Sequence, residues 1–384
     1  MAHRKLRGGM VGGGIGAFIG PVHRMAATLD GEAEFVAGAF SSNPAKSKKS
    51  GKALYLDPKR VYADYREMIK KESALPAGDR IDFVSIVTPN NTHFEIAKAF
   101  LEAGFHVVCD KPMTFDLAQA KELKSLVKKS RKVFALTHNY TGYPMVKQAR
   151  HMVKKGDLGT INKVVVEYPQ GWLSGLLSSK KSSINTWRMD PKKAGAACCM
   201  GDIGTHAENL ARYVTGLQID ELCADLTGFI PGNKLDDDGN VLLHFKGGAR
   251  GILYASQISA GEENGLAIRV YGSKAGLEWR QEDPNYLVVK DPSGFKKILS
   301  KGNPVLCKTA QEAGRLPFGH PDGFIEAFAN IYREAYRGMR AAMAGKKIPS
   351  CDHPTVDDGV IGMAFIETVV ASVKSKQKWT KMKR

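Results

Sequence analysis

Asp202 and His206 lie four residues apart in the segment Met200-Gly-Asp-Ile-Gly-Thr-His-Ala-Glu-Asn-Leu-Ala-Arg-Tyr213. On an α-helix that spacing puts a carboxylate and an imidazole on one face, near enough to interact. The opposite face reads Ile203, Ala207, Leu210 and Val214, the spacing of a core stripe. The segment is expected to bury the stripe and present an acid–base pair. The carboxylate can hold the imidazole's tautomer and stabilise its protonated form. Taken alone, a capped helix with a surface histidine and a chance aspartate reads the same way.

The elements that must position such a pair fall into two patterns. Strand-like runs at residues 7–11, 34–40, 81–88, 105–109 and 133–137 alternate with helical runs at 18–29, 44–54, 94–103 and 117–128. This alternation predicts right-handed crossovers and a parallel, doubly wound sheet. Beyond residue 138 the pattern changes. A helix near 146–154 is followed by alternating runs at 163–168, 241–245, 251–257, 267–271, 277–280 and 286–290, which read as an antiparallel sheet of meanders. Helices return at 323–343 and 357–374. Residues 173–186 read as a mobile loop, 231–238 as a polar turn and 291–319 as a long irregular stretch. The expected domains are 1–138, binding a dinucleotide, and 139–384, an α+β domain with a large open sheet that binds substrate and forms oligomers.

Composition bounds the class. Of 384 residues, 43% are apolar and 25% charged, which suits an ordinary globular core. No apolar run is long enough to span a bilayer, and Met1–Arg7 leads into glycines rather than a signal-peptide core. The expectation is a cytoplasmic protein. Six cysteines, two of them adjacent at Cys198 and Cys199, form neither a disulfide framework nor a zinc signature, so reduced thiols and no metal are expected. The net charge of +17 comes from dispersed lysine clusters such as Lys70-Lys71 and Lys180-Lys181. Without a nucleic-acid module, these read as solvated faces with some attraction for anionic ligands.

Val11-Gly-Gly-Gly-Ile-Gly-Ala-Phe-Ile-Gly20 follows the first strand and opens the first helix. Glycines tighten such a turn and let a pyrophosphate approach the helix N-terminus. Gly12, Gly14, Ile15 and Gly16 are the expected contacts. A strict fingerprint wants glycine where Ala17 stands; counting Gly12, Gly14, Gly16 and Gly20 gives a longer turn. After the second strand, Phe40-Ser-Ser-Asn-Pro-Ala-Lys46 carries no carboxylate for an adenosine ribose. Ser41, Ser42 and Lys46 could receive a 2′-phosphate, which points to NADP or to dual use with NAD; Ser41-Ser42 would equally cap the next helix. Thr88, Pro89, Asn90 and His93 end the 81–88 strand, where the crevice of such a sheet takes ligands. Asn91 or Thr92 could simply cap the following helix.

At Cys109-Asp-Lys-Pro112 the chain resembles the glucose–fructose oxidoreductase/inositol dehydrogenase (Gfo/Idh/MocA) family. The glycine turn, Thr88-Pro-Asn-Asn-Thr-His93, Asn139-Tyr140, Trp187-Arg188 and Gly201-Asp-Ile-Gly-Thr-His206 carry the same likeness over nearly the whole length. The family's tripeptide is Glu-Lys-Pro; Asp110 replaces the glutamate here. The resemblance implies a Rossmann domain, Asp110 and Lys111 beside the nicotinamide, often a cis bond before Pro112, and a catalytic Asp202 and His206. A lysine ending a buried strand is a costly structural choice, which favours function. Where relatives often carry glycines, this chain has Ala196-Ala-Cys-Cys199. The phrases His138-Asn-Tyr-Thr-Gly-Tyr-Pro144, Tyr168-Pro-Gln-Gly-Trp172 and Gly319-His-Pro-Asp-Gly-Phe-Ile-Glu-Ala-Phe328 look closest to bacterial enzymes acting on pyranoses, glycosides and cyclitols.

The expected reaction is reversible hydride transfer at a secondary alcohol. His206 takes the hydroxyl proton, Asp202 supports it, and Lys111 stabilises charge on the substrate oxygen. Tyr140, Gln170, Trp187 and Arg188 would hold the ring, although the two aromatics also suit a core and Arg188 could pair with Asp190. His320 is a comparable candidate. The alternatives are a glycoside-cleaving enzyme that recycles its cofactor and a non-catalytic nicotinamide-binding regulator. A sugar or cyclitol partner, no nucleic acid or membrane, and a homodimer or homotetramer complete the expectation.

Overall fold

Strands β1 (Leu6–Gly12), β2 (Ala33–Ala39), β3 (Phe83–Val87), β4 (His106–Cys109) and β5 (Phe134–Leu136) pair in parallel in the order β2-β1-β3-β4-β5. Every residue of β3 and β4 is buried, as the unbroken apolar runs require of strands covered on both faces. The chain steps from β1 outward to β2, then crosses back to β3. The order therefore reverses between β1 and β3, and their carboxyl ends flank the crevice where such sheets take ligands.

The helices between these strands start where the side chains provide caps. Asn43 accepts the Lys46 amide and Pro44 stands at the first turn of Pro44–Ala53; Asp116 accepts the Gln119 amide ahead of Leu117–Ser130. One helix, Tyr65–Ser73, departs from the sequence expectation. Its buried residues are Met68 and the charged Glu72, so it carries no apolar stripe. Glu72 is held instead by Arg60 at 2.6 Å, the Tyr62 hydroxyl at 2.8 Å and the Ile81 amide at 3.0 Å.

The computed structural model describes residues 4–178 and 186–383. The chain forms two units. The first is Met1–Asn139 with Phe328–Val360; the second is Tyr140–Ala327 with Ile361–Arg384. Residues 328–360, read from sequence as part of an uninterrupted second domain, thus belong to the first unit. The physical reason is polar anchoring inside its core. The Tyr332 hydroxyl lies 2.7 Å from His23 Nδ1 and 2.8 Å from Ser85 Oγ, and the Tyr336 hydroxyl donates to Ala27 O at 3.0 Å.

The second unit is built on β6 (Ile161–Pro169), β7 (Ile219–Thr227), β8 (Asp238–Phe245), β9 (Arg250–Ser256), β10 (Ala267–Gly272), β11 (Gly276–Arg280), β12 (Tyr286–Lys290), β13 (Lys296–Ser300) and β14 (Thr380–Lys381). Their order is β13-β12-β11-β10-β6-β9-β8-β7-β14. Pairings are antiparallel except that β6 runs parallel to β9, which makes the sheet mixed rather than a pure set of meanders. The stretch 291–319 is not irregular throughout: it contains β13 and the helix Lys308–Ala313. Part of the loop expected at 173–186, with the Lys180-Lys181 cluster, lies outside the described residues; its first part holds a 3-10 turn at Ser174–Leu176. The helix Thr205–Thr215 packs on the helix Pro144–Lys155 and on β6.

Candidate functional site

In the first unit, the glycine-rich turn closes on the start of the helix Ile19–Thr28. A Cβ on Gly20 would lie 2.3 Å from Gly13 O and 2.4 Å from its Cα, so backbone touches backbone there. A Cβ on Gly14 would meet Ser50 Oγ at 2.6 Å and Phe40 O at 2.9 Å. Gly16, at φ +83°, differs: a Cβ there meets nothing within 4 Å, so this part of the turn faces open space. Phe18 precedes the helix and gives it no side-chain cap. A tight turn, an uncapped helix N-terminus and free space beside Gly16 together fit a pyrophosphate. Ile15 donates its amide to Ser50 Oγ at 3.1 Å, and Arg24 donates to Gly13 O at 2.9 Å, fixing the turn from outside.

Beyond β2, Asn43 rather than Ser41 or Ser42 caps the next helix. Ser41 Oγ accepts the Asn43 amide at 3.2 Å, while the side chains of Ser42 and Lys46 are exposed. At the end of β3, the Thr92 hydroxyl bonds Thr88 Oγ1 at 2.7 Å and Pro89 O at 2.9 Å, so Thr92 stiffens the turn that carries Pro89 and Asn90. His93 is buried, with Nε2 2.8 Å from Thr88 O and Nδ1 2.9 Å from Pro112 O. The ring thus lies between the β3 turn and the Lys111–Pro112 turn, donating to one of the two carbonyls when neutral, and does not reach for a ligand. Burial lowers the pKa of this ring, against the pull of Asp110 and the two carbonyls.

Asp110 serves the same turn. Its Oδ1 accepts the Lys111 amide and the Thr137 hydroxyl, each at 2.9 Å, and its own amide donates to Ile86 O. The Lys111–Pro112 peptide bond is cis and Lys111 is half-buried. In this chain Asp110 therefore shapes the backbone that presents Lys111.

In the second unit, the segment bearing Asp202 is a π-helical stretch, Met200–Gly204, which runs into the α-helix Thr205–Thr215. The expected single α-helix is therefore interrupted: Asp202 sits in the wide turn and His206 in the regular helix. Ile203, Ala207, Leu210 and Val214 are buried as expected, and so is His206, at 6% exposure. Asp236 sets the start of the stretch by accepting the amides of Cys198 and Met200, each at 2.7 Å. Burial pushes its carboxyl up to about 6 despite those bonds.

Asp202 Oδ2 receives Gln257 Nε2 at 3.0 Å and stands 3.3 Å from Arg188 Nε. Arg188 lies on the 3-10 turn Trp187–Met189, its guanidinium 4.7 Å from the Trp187 ring centre. The His206 ring meets Tyr140 edge-on at 4.8 Å and Tyr168 at 6.3 Å. The hydroxyls of Tyr140 and Tyr168 are hydrogen-bonded; Tyr168 donates to Asn264 Oδ1 at 2.7 Å and Gln170 donates to the same oxygen at 2.8 Å. Burial raises the pKa of both phenols, which stay protonated. Two polar groups result, Asp202 with Gln257 and Arg188, and Tyr140 with Tyr168, Asn264 and Gln170, and the His206 ring lies against the phenols of the second. His320 is exposed, with Nδ1 3.3 Å from Phe318 O. Asn264, Gln257 and Asp236 belong to the cluster but escaped the sequence reading, because each is a lone polar residue in a turn or at a strand end. Among the described residues no His, Cys, Asp or Glu grouping could hold a metal, and no helix is long and apolar enough to cross a membrane.

The family model for an oxidoreductase NAD-binding Rossmann fold matches residues 6–138, and that for the GFO/IDH/MocA C-terminal domain matches residues 146–278. YfiI of Bacillus subtilis, an uncharacterized oxidoreductase, is 35% identical over 99% of this chain and 98% of its own. Among solved structures, an oxidoreductase from Sinorhizobium meliloti is 47% identical with a TM-score of 0.88, over 99% of this chain and 100% of that one. An inositol dehydrogenase homolog from Azotobacter vinelandii, complexed with NAD+, is 35% identical with a TM-score of 0.93, over 98% and 97% of the two chains. That homolog is also known in complex with NADH and myo-inositol, at 34% identity and a TM-score of 0.90 over 98% of each chain. The chain therefore belongs to the Gfo/Idh/MocA family of oxidoreductases, with an NAD-binding Rossmann fold at its N-terminal side.

Proposed function

We propose that the protein catalyses reversible hydride transfer between a nicotinamide dinucleotide and a secondary alcohol on the ring of a pyranose sugar, a glycoside or a cyclitol. The observation that carries this reading is the environment of His206. It is a buried imidazole flanked by two protonated phenols, four residues after a carboxylate whose Oδ2 accepts from Gln257 and pairs with Arg188. The myo-inositol complex of the Azotobacter vinelandii homolog supports a cyclic polyol as substrate.

The nicotinamide, when bound, supplies the hydride acceptor or donor. His206 removes the proton of the reacting hydroxyl. Asp202, bonded by Gln257 and paired with Arg188, stabilises the imidazolium that results. Lys111, presented by the turn that Asp110 holds, donates to the alcohol oxygen as charge changes there. Gln170, Trp187 and Arg188 contact further hydroxyls or the ring face, and Tyr140 orders the polar network beside His206. Gly12, Gly14, Ile15 and Gly16 hold the pyrophosphate, and Thr88, Pro89 and Asn90 border the rest of the dinucleotide. With no carboxylate at residues 40–46 and with Lys46 exposed, NADP is accepted as well as NAD.

The outward face of the large sheet exposes Leu242, Ile252, Tyr271, Tyr286 and Ile298. An apolar face of this kind suits a homodimer or homotetramer, and elution as a strict monomer on size exclusion overturns that assignment.

The experiment is reduced-nicotinamide absorbance with a panel of sugars, glycosides and inositols, using each of NAD and NADP. A rise with one or a few cyclic polyols is expected, together with its loss in Lys111→Ala and His206→Ala. No rise with any of them, or wild-type rates in either variant, overturns the reading.

A further inference from the structure

The unusual pair Cys198-Cys199 stands just ahead of Asp202, and Cys198 is tied to it through a third residue. Gln257, at the end of the sheet's central region, is 0% exposed. Its Nε2 donates to Asp202 Oδ2 at 3.0 Å, and its Oε1 receives the Cys198 thiol at 3.5 Å. Its backbone is fixed as well: the Gln257 amide donates to Asp237 O at 2.9 Å and its carbonyl accepts the Leu173 amide at 3.0 Å.

An amide has one acceptor end and one donor end, so its orientation depends on what faces each. Were the side chain flipped, Oε1 would face the carboxylate oxygen, and the thiol would turn to offer the NH2 group only the weak acceptor of its sulfur. The first contact would be repulsive and the second weak, and both would be buried. The carboxylate disfavours that alternative, and the thiol, a better donor than acceptor, adds to the preference while it stays protonated. Burial, with Asp202 and Asp236 nearby, pushes the Cys198 pKa well up, so the S–H form persists.

We infer that Cys198 and Gln257 form a positioning relay, in which the thiol helps fix the amide so that its N–H points at Oδ2 of Asp202 and holds that carboxylate in one rotamer. Neither residue touches substrate in this scheme. Each acts through Asp202, so the inference rests on the part given to Asp202 beside His206. It assigns a role to a segment whose sequence, Ala196-Ala-Cys-Cys199, would otherwise only change the shape of the pocket floor.

The test uses the full-length protein and the variants Cys198→Ala, Cys198→Ser, Gln257→Met and the double variant. The first readout is the titration of the Asp202 carboxyl carbon by NMR without substrate. Gln257→Met is expected to raise the Asp202 pKa by about one unit or more, the loss of one charge-assisted bond. Cys198→Ala is expected to raise it by less, and Cys198→Ser, which keeps a donor, to restore it. The second readout is kcat with the best polyol from the panel. Gln257→Met is expected to lower it by about tenfold to a hundredfold with little change in KM. Cys198→Ala should add nothing to that loss in the double variant. An Asp202 titration unmoved by Gln257→Met, additive effects of the two substitutions, or Cys198→Ser behaving like Cys198→Ala overturns the relay. If Gln257→Met does not fold, the Cys198 pair decides through the titration alone. The titration also separates the two readings: if no polyol is oxidised, the function proposed above fails while the relay is still read at Asp202.

Discussion

Arg188 pairs with Asp202, its Nε 3.3 Å from Oδ2, and not with Asp190. Asp190 is otherwise engaged: its Oδ1 accepts the Lys192 amide at 3.0 Å and starts the short helix Pro191–Ala194. A residue that sequence offered as a ring-holding contact therefore also acts on the carboxylate beside His206. The guanidinium is about one-third exposed, so solvent screens part of its effect.

Replacing Arg188 by methionine keeps the stem but removes the charge and the planar donor. We expect kcat to fall by about tenfold and the acidic limb of its pH profile to move upward, because Asp202 then protonates more readily. Arg188→Lys should restore the charge without the fixed N–H direction and recover only part of the rate. Steady-state kinetics from pH 5 to 9 check this. A pH profile in Arg188→Met that overlays the wild type would remove Arg188 from this role.

Buried ionisable groups give the two units opposite responses to acid. His23 and His106 in the first unit are brought by burial to about 4, from 6.5. The His106 Nδ1 accepts the Val133 amide at 2.9 Å, a bond that only the ring unprotonated at Nδ1 can make. The unfolded chain binds a proton at each ring below pH 6.5, so their stabilising contribution is full above that value and is lost as pH falls towards 4. The loss amounts to about 3 kcal/mol for each ring. Asp236 in the second unit goes the other way. Its carboxyl is raised from 3.8 to about 6, so the folded form binds the proton more tightly. Its contribution is full below pH 3.8 and is lost as pH rises through 6. Hydrogen exchange corrected for intrinsic rates reads both. Protection of the Val133 amide should fall between pH 6.5 and 4 and flatten in His106→Gln. Asp236→Asn should remove a loss of protection at the Met200 amide that wild type shows between pH 4 and 6. Identical pH slopes in wild type and variants would contradict the assignment.

What the sequence made legible follows from how each element is stabilised. The strands of the parallel sheet are runs of buried apolar residues, and the helix Ile19–Thr28 follows a glycine turn; such patterns are local and visible. The helix Tyr65–Ser73 was not visible, because Glu72 is buried against partners at 60, 62 and 81 that no periodicity reveals. Strand β7, Ile-Asp-Glu-Leu-Cys-Ala-Asp-Leu-Thr, lacks clean alternation, and β13 begins with two exposed lysines. At the site, Asp202 and His206 were found by their spacing. Gln257 and Asn264 could not be, since their partners lie 55 and 94 to 124 residues away. The π-helical turn was hidden for a related reason: Asp236, which caps it, comes 36 residues later than Met200.

The glycine turn separates two kinds of glycine. At Gly20 an added methyl group collides with the backbone of Gly13 at 2.3 Å, which neither side can yield without opening the turn. At Gly16 no protein atom opposes a methyl group, so alanine costs the free protein only the left-handed φ of +83°, on the order of 1 kcal/mol, but it intrudes on the space given to the pyrophosphate. Both variants are expected to weaken dinucleotide binding measured by calorimetry, but Gly20→Ala should also lower the thermal midpoint of the free protein by several degrees while Gly16→Ala changes it little. Equal thermal midpoints in the two variants would show that the turn does not depend on the Gly13–Gly20 approach.

We expect cofactor choice to follow the charge at the end of β2. Ser41 accepts the Asn43 amide at 3.2 Å, and aspartate at that position keeps an acceptor for the same turn while adding the carboxylate that a ribose hydroxyl prefers. The same carboxylate repels a 2′-phosphate. Lys46 is exposed one turn along the helix Pro44–Ala53 and supplies the cation nearest that corner in sequence. Ser41→Asp is expected to lower kcat/KM with NADP by tenfold or more and to raise that with NAD, about 1.4 kcal/mol per tenfold change. Lys46→Ala should lower the NADP value by about tenfold at low ionic strength and leave NAD unchanged, the difference shrinking as salt is added. The check is the ratio of kcat/KM for the two cofactors at two ionic strengths. A ratio unmoved by either substitution would place the discrimination elsewhere in the first unit.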